Sequence, residues 1–169
     1  MRQRGIPSRR GWRQRGRLHV WTYGHASPNY AGWHISGDAD GLTSMIEGLD
    51  HLRSARQSTL RLQLTPVDAE LLAIPNHTAR ASYADALTVV LAGPDELRAW
   101  AFDTSAAGLA VRVGSQKLGV FIAALRDVLA GQHDFCLGPD DWRRAPDDQW
   151  LWFWLHPSQT RPPQKRGLS

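Results

Sequence analysis

The six residues 150–155, W-L-W-F-W-L, constrain the fold more than any other stretch of this 169-residue chain. In an extended strand, successive side chains point to opposite faces. One face of this strand therefore carries only tryptophans, and the other carries Leu151, Phe153 and Leu155. A strand that is apolar on both faces must be covered twice. We expect the leucine and phenylalanine side to face the helices of the same domain.

The remaining sequence shows alternating strand and helix patterns. Apolar residues at helical spacing between Leu42 and Leu52, and again between Leu118 and Leu129, predict two amphipathic helices. Strand patterns cover 33–36, 59–64, 86–91, 97–102, 109–113, 134–137 and 150–155. Because three of these strands follow one another without a helix between them, we expect an α+β fold. We predict one largely antiparallel or mixed sheet of five to seven strands, with two main helices on one face.

Two strand–helix–strand units have similar apolar positions at a constant offset. Six residues of the first unit match six of the second: Ile35, Leu42, Met45, Ile46, Leu49 and Leu52 align with Val111, Leu118, Phe121, Ile122, Leu125 and Val128. Any two helices with the same apolar stripe would match in part. The pattern is therefore explained either by chance similarity or by two related halves.

The charge is divided between two basic ends and an acidic centre. Residues 1–17 and 158–169 together hold ten of the 20 Lys and Arg residues, and all 16 acidic residues lie between them. Residues 18–157 therefore have ten cations against 16 carboxylates, a net charge of −6. Both ends lack an apolar pattern, so we expect disordered tails around a single domain formed by 18–157.

The basic N-terminal arm supports an alternative function, association with nucleic acid through phosphate contacts. The residues that would make these contacts are Arg2, Arg4, Arg9, Arg10, Arg13, Arg15 and Arg17. Such binding would be weak, salt-sensitive and independent of sequence. The acidic centre and the absence of a nucleic-acid-binding motif favour a solvated tail instead.

The sequence contains no catalytic, cofactor-binding or metal-binding motif. The seven histidines lack the local spacing of a metal site, and the single Cys136 excludes an intrachain disulfide. Cys136 lies in an apolar strand, where we expect an inert core residue. A hydrolase-type enzyme assembled from scattered polar residues is a further alternative. No apolar run reaches the ~18 residues of a membrane span and no secretory signal is present, which indicates a cytoplasmic protein without a membrane partner.

The tryptophan side of residues 150–155 is the candidate protein-binding face. Each Trp can bury ~150–250 Å², so Trp150, Trp152 and Trp154 together represent roughly 500 Å² of apolar surface. Arginines that alternate with apolar residues on other strands, notably Arg61 and Arg112, are expected to share this face and to lie across the indole rings. Further candidates for its cover are a second copy, another protein and a small molecule.

Residues 35–49, which begin I-S-G-D-A-D-G-L, provide one resemblance. This strand, acidic turn and helix resemble the opening of several small bacterial families, some of which are described as immunity proteins of polymorphic toxin systems. The resemblance implies a non-enzymatic protein that binds a partner, and an acidic domain would suit a basic toxin. The leading hypothesis is therefore a protein-binding module, either immunity-like or self-associating, that needs no cofactor.

Overall fold

The computed structural model describes residues 11–23, 30–54, 57–73, 81–105, 108–132, 135–141 and 143–157. The first ten residues and the predicted C-terminal tail, 158–169, lie outside the described residues. In the described part of the chain, no helix has the length and apolar character that crossing a membrane requires.

The described residues form nine strands, two long helices and one short helix. The strands are β1 (Leu18–Tyr23), β2 (Trp33–Gly37), β3 (Thr59–Gln63), β4 (Ala81–Tyr83), β5 (Ala86–Leu91), β6 (Trp100–Ser105), β7 (Gly108–Val113), β8 (Phe135–Leu137) and β9 (Leu151–Phe153). The helices are α1 (Ala39–Ser54), α2 (Ala69–Leu72) and α3 (Ser115–Leu129). This content confirms the predicted α+β class.

The strands are divided between two sheets. One sheet has five strands in the order β4–β1–β2–β9–β8, within the predicted range, and a second has four in the order β3–β5–β7–β6. The second sheet was not expected. Each long helix carries the chain from one sheet to the other, since α1 connects β2 to β3 and α3 connects β7 to β8. An alternating sequence identifies a strand but not its partner, because pairing depends on tertiary contacts.

Apart from α2 and β4, which lie between β3 and β5 and have no counterpart among the described residues of the second half, the two halves of the chain repeat the same order of elements. Each half has an antiparallel hairpin, a long helix and two further strands: β1–β2–α1–β3–β5 and β6–β7–α3–β8–β9. In both sheets, the second hairpin strand pairs in parallel with the last strand of the other half, β2 with β9 and β7 with β5. Asp50 and Arg126, which are 76 residues apart, form an ion pair of 3.0 Å between the two helices. Equivalent positions of the two helices therefore contact each other.

One hydrophobic core joins both sheets and both long helices. Phe153 of β9 packs edge-on against Phe121 of α3, with ring centroids 5.8 Å apart. Leu151, two residues earlier, is also fully buried. Trp33 of the five-stranded sheet contacts Phe102 of the four-stranded sheet at 6.2 Å. The predicted orientation of the leucine and phenylalanine side of residues 150–155 toward the helices is thus confirmed.

Residues 11–17 pack against α1, although the predicted disordered tail extended to residue 17. The Trp12 indole lies over Gly48, where an added Cβ would come within 2.7 Å of the ring. Its Nε1 donates a hydrogen bond to the carbonyl of Ser44 at 2.8 Å. A basic, Gly-rich composition favours disorder, but a single indole provides ~150–250 Å² of surface to bury. The packing of Trp12 therefore holds residues 11–17 against α1.

Four strands differ from the sequence-based assignment by more than one residue. β9 has only Leu151–Phe153 of the predicted 150–155. β6 begins at Trp100 instead of Leu97, because the Leu97 carbonyl accepts a hydrogen bond of 2.9 Å from the backbone N–H of Gln116 at the start of α3. β1 was not predicted, although L-H-V-W-T-Y is rich in the aromatic and β-branched residues typical of strands. β4, with three residues, is too short to give a pattern.

Candidate functional site

The outer face of the five-stranded sheet carries aromatic and histidine side chains. These are His19, Trp21 and Tyr23 of β1, His34 and Ser36 of β2, and Trp152, Trp154 and His156 in and after β9. Most are buried: His34 has no exposed surface and Trp154 is 6% exposed. An outer sheet face is commonly polar, so this one is built as a second, aromatic layer.

Four rings stand nearly parallel across three strands, and we call them the aromatic row: Trp21, His34, Trp154 and Trp152. Successive ring centroids are 5.5, 6.0 and 6.5 Å apart, with interplanar angles of 21°, 16° and 23°. Tyr23 approaches His34 edge-on at 4.9 Å. These separations lie within the range in which aromatic pairs attract each other.

His34 makes two side-chain hydrogen bonds, which show that its imidazole ring is neutral. Its Nδ1 accepts a bond of 2.8 Å from the indole Nε1 of Trp154. The proton of the ring therefore lies on Nε2, which donates to the carbonyl of Tyr30 at 3.1 Å. An imidazolium would carry a proton on Nδ1 and could not accept from Trp154.

Residues of the same chain cover the buried part of the aromatic row, around Trp21 and Trp154. Leu71 of α2 is fully buried in the same cluster, and Val67 and Leu72 pack against it. The hydroxyl of Tyr23 donates to the carbonyl of Leu72 at 3.0 Å. Trp154, predicted as part of a binding face, is therefore an interior residue.

The predicted cover of arginine side chains is wrong. Arg61 lies on β3 and Arg112 on β7, both in the four-stranded sheet, whereas the tryptophans belong to the five-stranded sheet. Arg112 forms an ion pair with Glu96, and the guanidinium of Arg61 donates to the hydroxyl of Thr88 at 3.5 Å. The five residues predicted to form one face therefore do not share one, because alternation does not tell in which sheet a strand lies.

His19 and His156 form a second buried group on this face, with ring centroids 5.7 Å apart. Nδ1 of His19 donates to the carbonyls of Thr65 and Pro66, at 3.0 and 3.2 Å. Burial lowers the pKa of His19; these carbonyls and the charge of nearby Asp68 oppose that shift, whereas His156 adds to it.

Ser36 lies beside His19 across the β1–β2 pair. The Nε2 of His19 and the hydroxyl of Ser36 form no hydrogen bond with any described residue. A serine next to a histidine is a combination that hydrolases use. Here, however, both side chains are at most 2% exposed, so a substrate in solvent does not reach them.

The aromatic row opens at Trp152 into a cavity of about 230 Å³, lined by Ala31, Cys136, Asp147, Trp150 and Trp152. Both indoles are half-buried. The Nε1 of Trp152 donates to the carbonyl of Ala31 at 2.8 Å, which fixes the orientation of the ring. The cavity thus joins the two more exposed tryptophans of residues 150–155.

Two glycines hold the other wall of the cavity in place. The ring of Trp150 lies over Gly138, where an added Cβ would be 2.4 Å from the indole. Gly32 has a φ of +105°, and a Cβ there would lie 2.6 Å from the Trp150 carbonyl. That carbonyl accepts a hydrogen bond of 2.7 Å from the backbone N–H of Trp33. The wall is therefore fixed by backbone contacts that leave no room for a side chain.

Asp147 gives the cavity its charge. It is exposed and forms no ion pair with a described residue, whereas nearby Asp140 pairs with Lys117 at 2.7 Å and Arg98 at 2.6 Å. Cys136 is exposed and is therefore not the core residue expected from the sequence. Desolvation still raises the pKa of its thiol, so the thiol stays protonated near neutral pH and is a poor nucleophile. The cavity therefore combines two aromatic surfaces with one carboxylate that has no counterion among the described residues.

The arginines of the N-terminal arm are only partly described. Arg15 forms an ion pair with Glu47 at 2.9 Å, and Arg17 forms one with Asp38 at 3.3 Å. Burial tends to raise the pKa of Asp38, but its hydrogen bonds and the charge of Arg17 lower it overall. Arg13 is placed beside α1, since its carbonyl accepts a 3.5 Å bond from Ser44. Four more predicted phosphate contacts lie outside the described residues: Arg2, Arg4, Arg9 and Arg10.

A larger cavity, of about 560 Å³, lies where β4 and β5 face the end of β6 and the start of β7. Its lining mixes Arg61 and Asp85 with hydroxyl side chains such as Ser82 and Thr104, which define no single class of ligand. Within the described ranges, no three His, Cys, Asp or Glu side chains are grouped so as to hold a metal ion.

Sequence reasoning identified the tryptophans of residues 150–155 but missed their partners on β1 and β2. Along β1, the large side chains of His19, Trp21 and Tyr23 alternate with Leu18 and Val20, much as the tryptophans alternate with apolar residues in 150–155. This alternation could have predicted a second strand that is covered on both faces. Asp147 had no signal as a cavity residue, because a 3₁₀ turn after a polar loop brings it there.

The fold and the cavity define an α+β protein of two intertwined ββαββ halves, with an aromatic cavity at one edge of its five-stranded sheet. Protein-family models, curated proteins and solved structures contain no match for this chain.

Proposed function

We propose that the protein is a non-catalytic binding module that receives a basic side chain of a partner protein in the cavity between Trp150 and Trp152. The observation that carries this proposal is the combination of two indoles with the Asp147 carboxylate around one opening. An ammonium or guanidinium group is attracted to the face of an indole, and a carboxylate adds a charge-assisted hydrogen bond.

The size of the cavity favours one side chain over a small-molecule ligand. Pockets for drug-sized ligands have volumes of ~300–1,000 Å³, whereas this cavity has about 230 Å³. The hydrogen bond that fixes Trp152 and the packing of Trp150 on Gly138 hold both walls in place before binding. A fixed site loses less entropy on binding, which supports recognition of a single lysine or arginine.

The charge of the domain supports a basic partner. Residues 18–157 have a net charge of −6, and an acidic surface increases the association rate of a positively charged protein. The resemblance of residues 35–49 to immunity proteins agrees with this chemistry, since such proteins bind a partner. Genes adjacent to the coding gene are where a basic partner should be sought first.

A short peptide with one central lysine tests the proposal against the same peptide acetylated on Nζ. Titration followed by tryptophan fluorescence should give a Kd on the order of 10 mM or weaker for the free lysine, because two exposed cation–π contacts of ~0.5–1 kcal/mol each and one exposed ion pair of ~0.2–1 kcal/mol sum to roughly 1–3 kcal/mol. The acetylated peptide should bind at least about threefold more weakly.

Asp147→Asn and Asp148→Asn form a matched pair of variants. Asp147 lines the cavity, whereas its exposed neighbour Asp148 does not. We expect Asp147→Asn to weaken lysine binding by about two- to fivefold, the range of an exposed ion pair, and Asp148→Asn to leave it unchanged. Equal losses in the two variants would indicate a general charge effect. Equal binding of the lysine and acetyl-lysine peptides would contradict the proposal.

A further inference from the structure

The outer face of the four-stranded sheet is not covered by any described element. Its side chains form rows across the strands, because paired residues of neighbouring strands point to the same side. The first row is Arg61, Thr88, Ala110 and Asp103, and the second is Thr59, Val90, Arg112 and Ala101. Residues at the edges of both rows are exposed.

Small side chains occupy the first row of this face between its two charged ends, whereas the second row also carries the exposed Arg112 on β7, which its ion pair with Glu96 holds. Thr88, Val90 and Ala110 are half-buried by their own neighbours, and none has a long side chain that would hold another sheet away. The corresponding face of the five-stranded sheet is covered by the aromatic row and α2. The two halves of the molecule therefore share a topology but differ in which sheet face is left open.

The first row carries opposite charges at its two ends. Arg61 is on the edge strand β3 and Asp103 on the edge strand β6, three strand spacings or roughly 14 Å apart. In the described part of the chain neither side chain has an ion-pair partner; Arg61 makes only the 3.5 Å bond to Thr88.

This pattern is complementary to itself. A twofold axis that runs parallel to the strands, between β5 and β7, places β3 of one copy opposite β6 of the other and leaves the rows in register. Arg61 of each copy then faces Asp103 of the other, and Thr88 faces Ala110. A twofold axis perpendicular to the strands would place β3 opposite β3, so the same row would have no acidic partner for its arginine. The interface is isologous, with both contacts made twice.

We propose that the protein forms a homodimer through the outer face of its four-stranded sheet, with two symmetric Arg61–Asp103 ion pairs. This proposal is independent of the cavity beside Trp152, which lies on the other sheet. Four strands of five to six residues cover a footprint of roughly 20 Å by 18 Å. Such a footprint, roughly 360 Å² on each copy and 720 Å² in total, is below the ~1,000 Å² of a stable interface, so the dimer should be weak and dependent on concentration.

Charge reversal tests the proposed registry. Sedimentation equilibrium from about 10 μM to 1 mM should show wild-type self-association that weakens with salt. Arg61→Asp and Asp103→Arg alone should each weaken it about tenfold or more, because each puts like charges together twice. The double variant restores both pairs in reversed polarity and should recover most of the association.

Asp127→Arg, an exposed reversal on α3 outside this face, is the matched control and should leave association unchanged. Far-UV circular dichroism confirms that each variant is folded. A wild-type protein that is monomeric at 1 mM overturns the proposal. So does a double variant that associates no better than the single variants, or a face-filling Ala110→Arg variant that associates like wild type.

Discussion

The hydrogen bond between Trp154 and His34 gives the sharpest test of the aromatic layer. The indole Nε1 donates to Nδ1 of the imidazole at 2.8 Å, and the two side chains are 6% and 0% exposed. Trp154→Phe removes the donor and leaves a buried acceptor without a partner. His34→Phe removes the acceptor and leaves the buried indole N–H unsatisfied, while a ring remains in the aromatic row.

The magnitude follows from the cost of an unsatisfied buried group. Such a group costs ~1–3 kcal/mol, and Trp154→Phe adds a packing loss of about 1 kcal/mol. We therefore expect Trp154→Phe to lower the free energy of unfolding by about 2–4 kcal/mol and His34→Phe to lower it by about 1–3 kcal/mol. In the double variant both polar groups are gone, so its loss should be smaller than the sum of the two by about 1–3 kcal/mol.

Urea denaturation followed by far-UV circular dichroism measures these changes, since Trp154→Phe itself removes one of the fluorophores and would alter a fluorescence signal directly. The m value should stay constant if the variants keep the same fold. Trp100→Phe is the matched control, because its buried Nε1 donates to the Gln149 carbonyl at 2.8 Å, on the other sheet. Its loss should add to that of His34→Phe. If the losses of Trp154→Phe and His34→Phe also add within ~0.3–0.5 kcal/mol, the proposed bond contributes nothing.

Three further variants and conditions probe separate contacts. Burial lowers the pKa of His19 below its ordinary 6.5. The unfolded chain therefore binds a proton at this residue more readily than the folded protein does. The stability that the neutral ring contributes is present above about pH 6.5 and is lost as the pH falls. Urea titrations at about pH 5 and 7.5 should show this difference, and His19→Gln should reduce it. Gly48→Ala should destabilise the protein by ~1–3 kcal/mol, since the Trp12 ring occupies the space of the new Cβ; a net gain in urea resistance would contradict that packing. Gly138→Ala should displace Trp150 and weaken lysine-peptide binding in the fluorescence titration, and unchanged affinity would remove Trp150 from the site.

Patterns that depend on neighbouring residues were predicted well. The stripe between Leu42 and Leu52 and the one between Leu118 and Leu129 both form helices, α1 and α3. Each stripe repeats with the period of the helix itself, so no distant contact is needed to recognise it. The apolar offset between the halves was also visible, because both helices face the same core through equivalent positions.

Features that depend on distant residues were not predicted. The Arg61 and Arg112 strands alternate as expected, yet they belong to the other sheet. Residues 11–17 have the composition of a disordered arm. The Trp12 indole nevertheless packs over Gly48, on a helix more than 30 residues away. In both cases the deciding partner lies far along the chain, where a local pattern carries no information.

The sequence by itself determined that the middle of residues 150–155, Leu151–Phe153, forms a strand with two apolar faces, and that Phe153 faces the core, because alternation is a property of the extended chain. Tertiary structure alone decided what covers the tryptophans. Pairing with β2 sets Trp154 against His34, and a turn brings Asp147 to the exposed end beside Trp152. Strand pairing and turn placement depend on the free energy of the whole fold, so the same three tryptophans became one interior residue and two cavity walls.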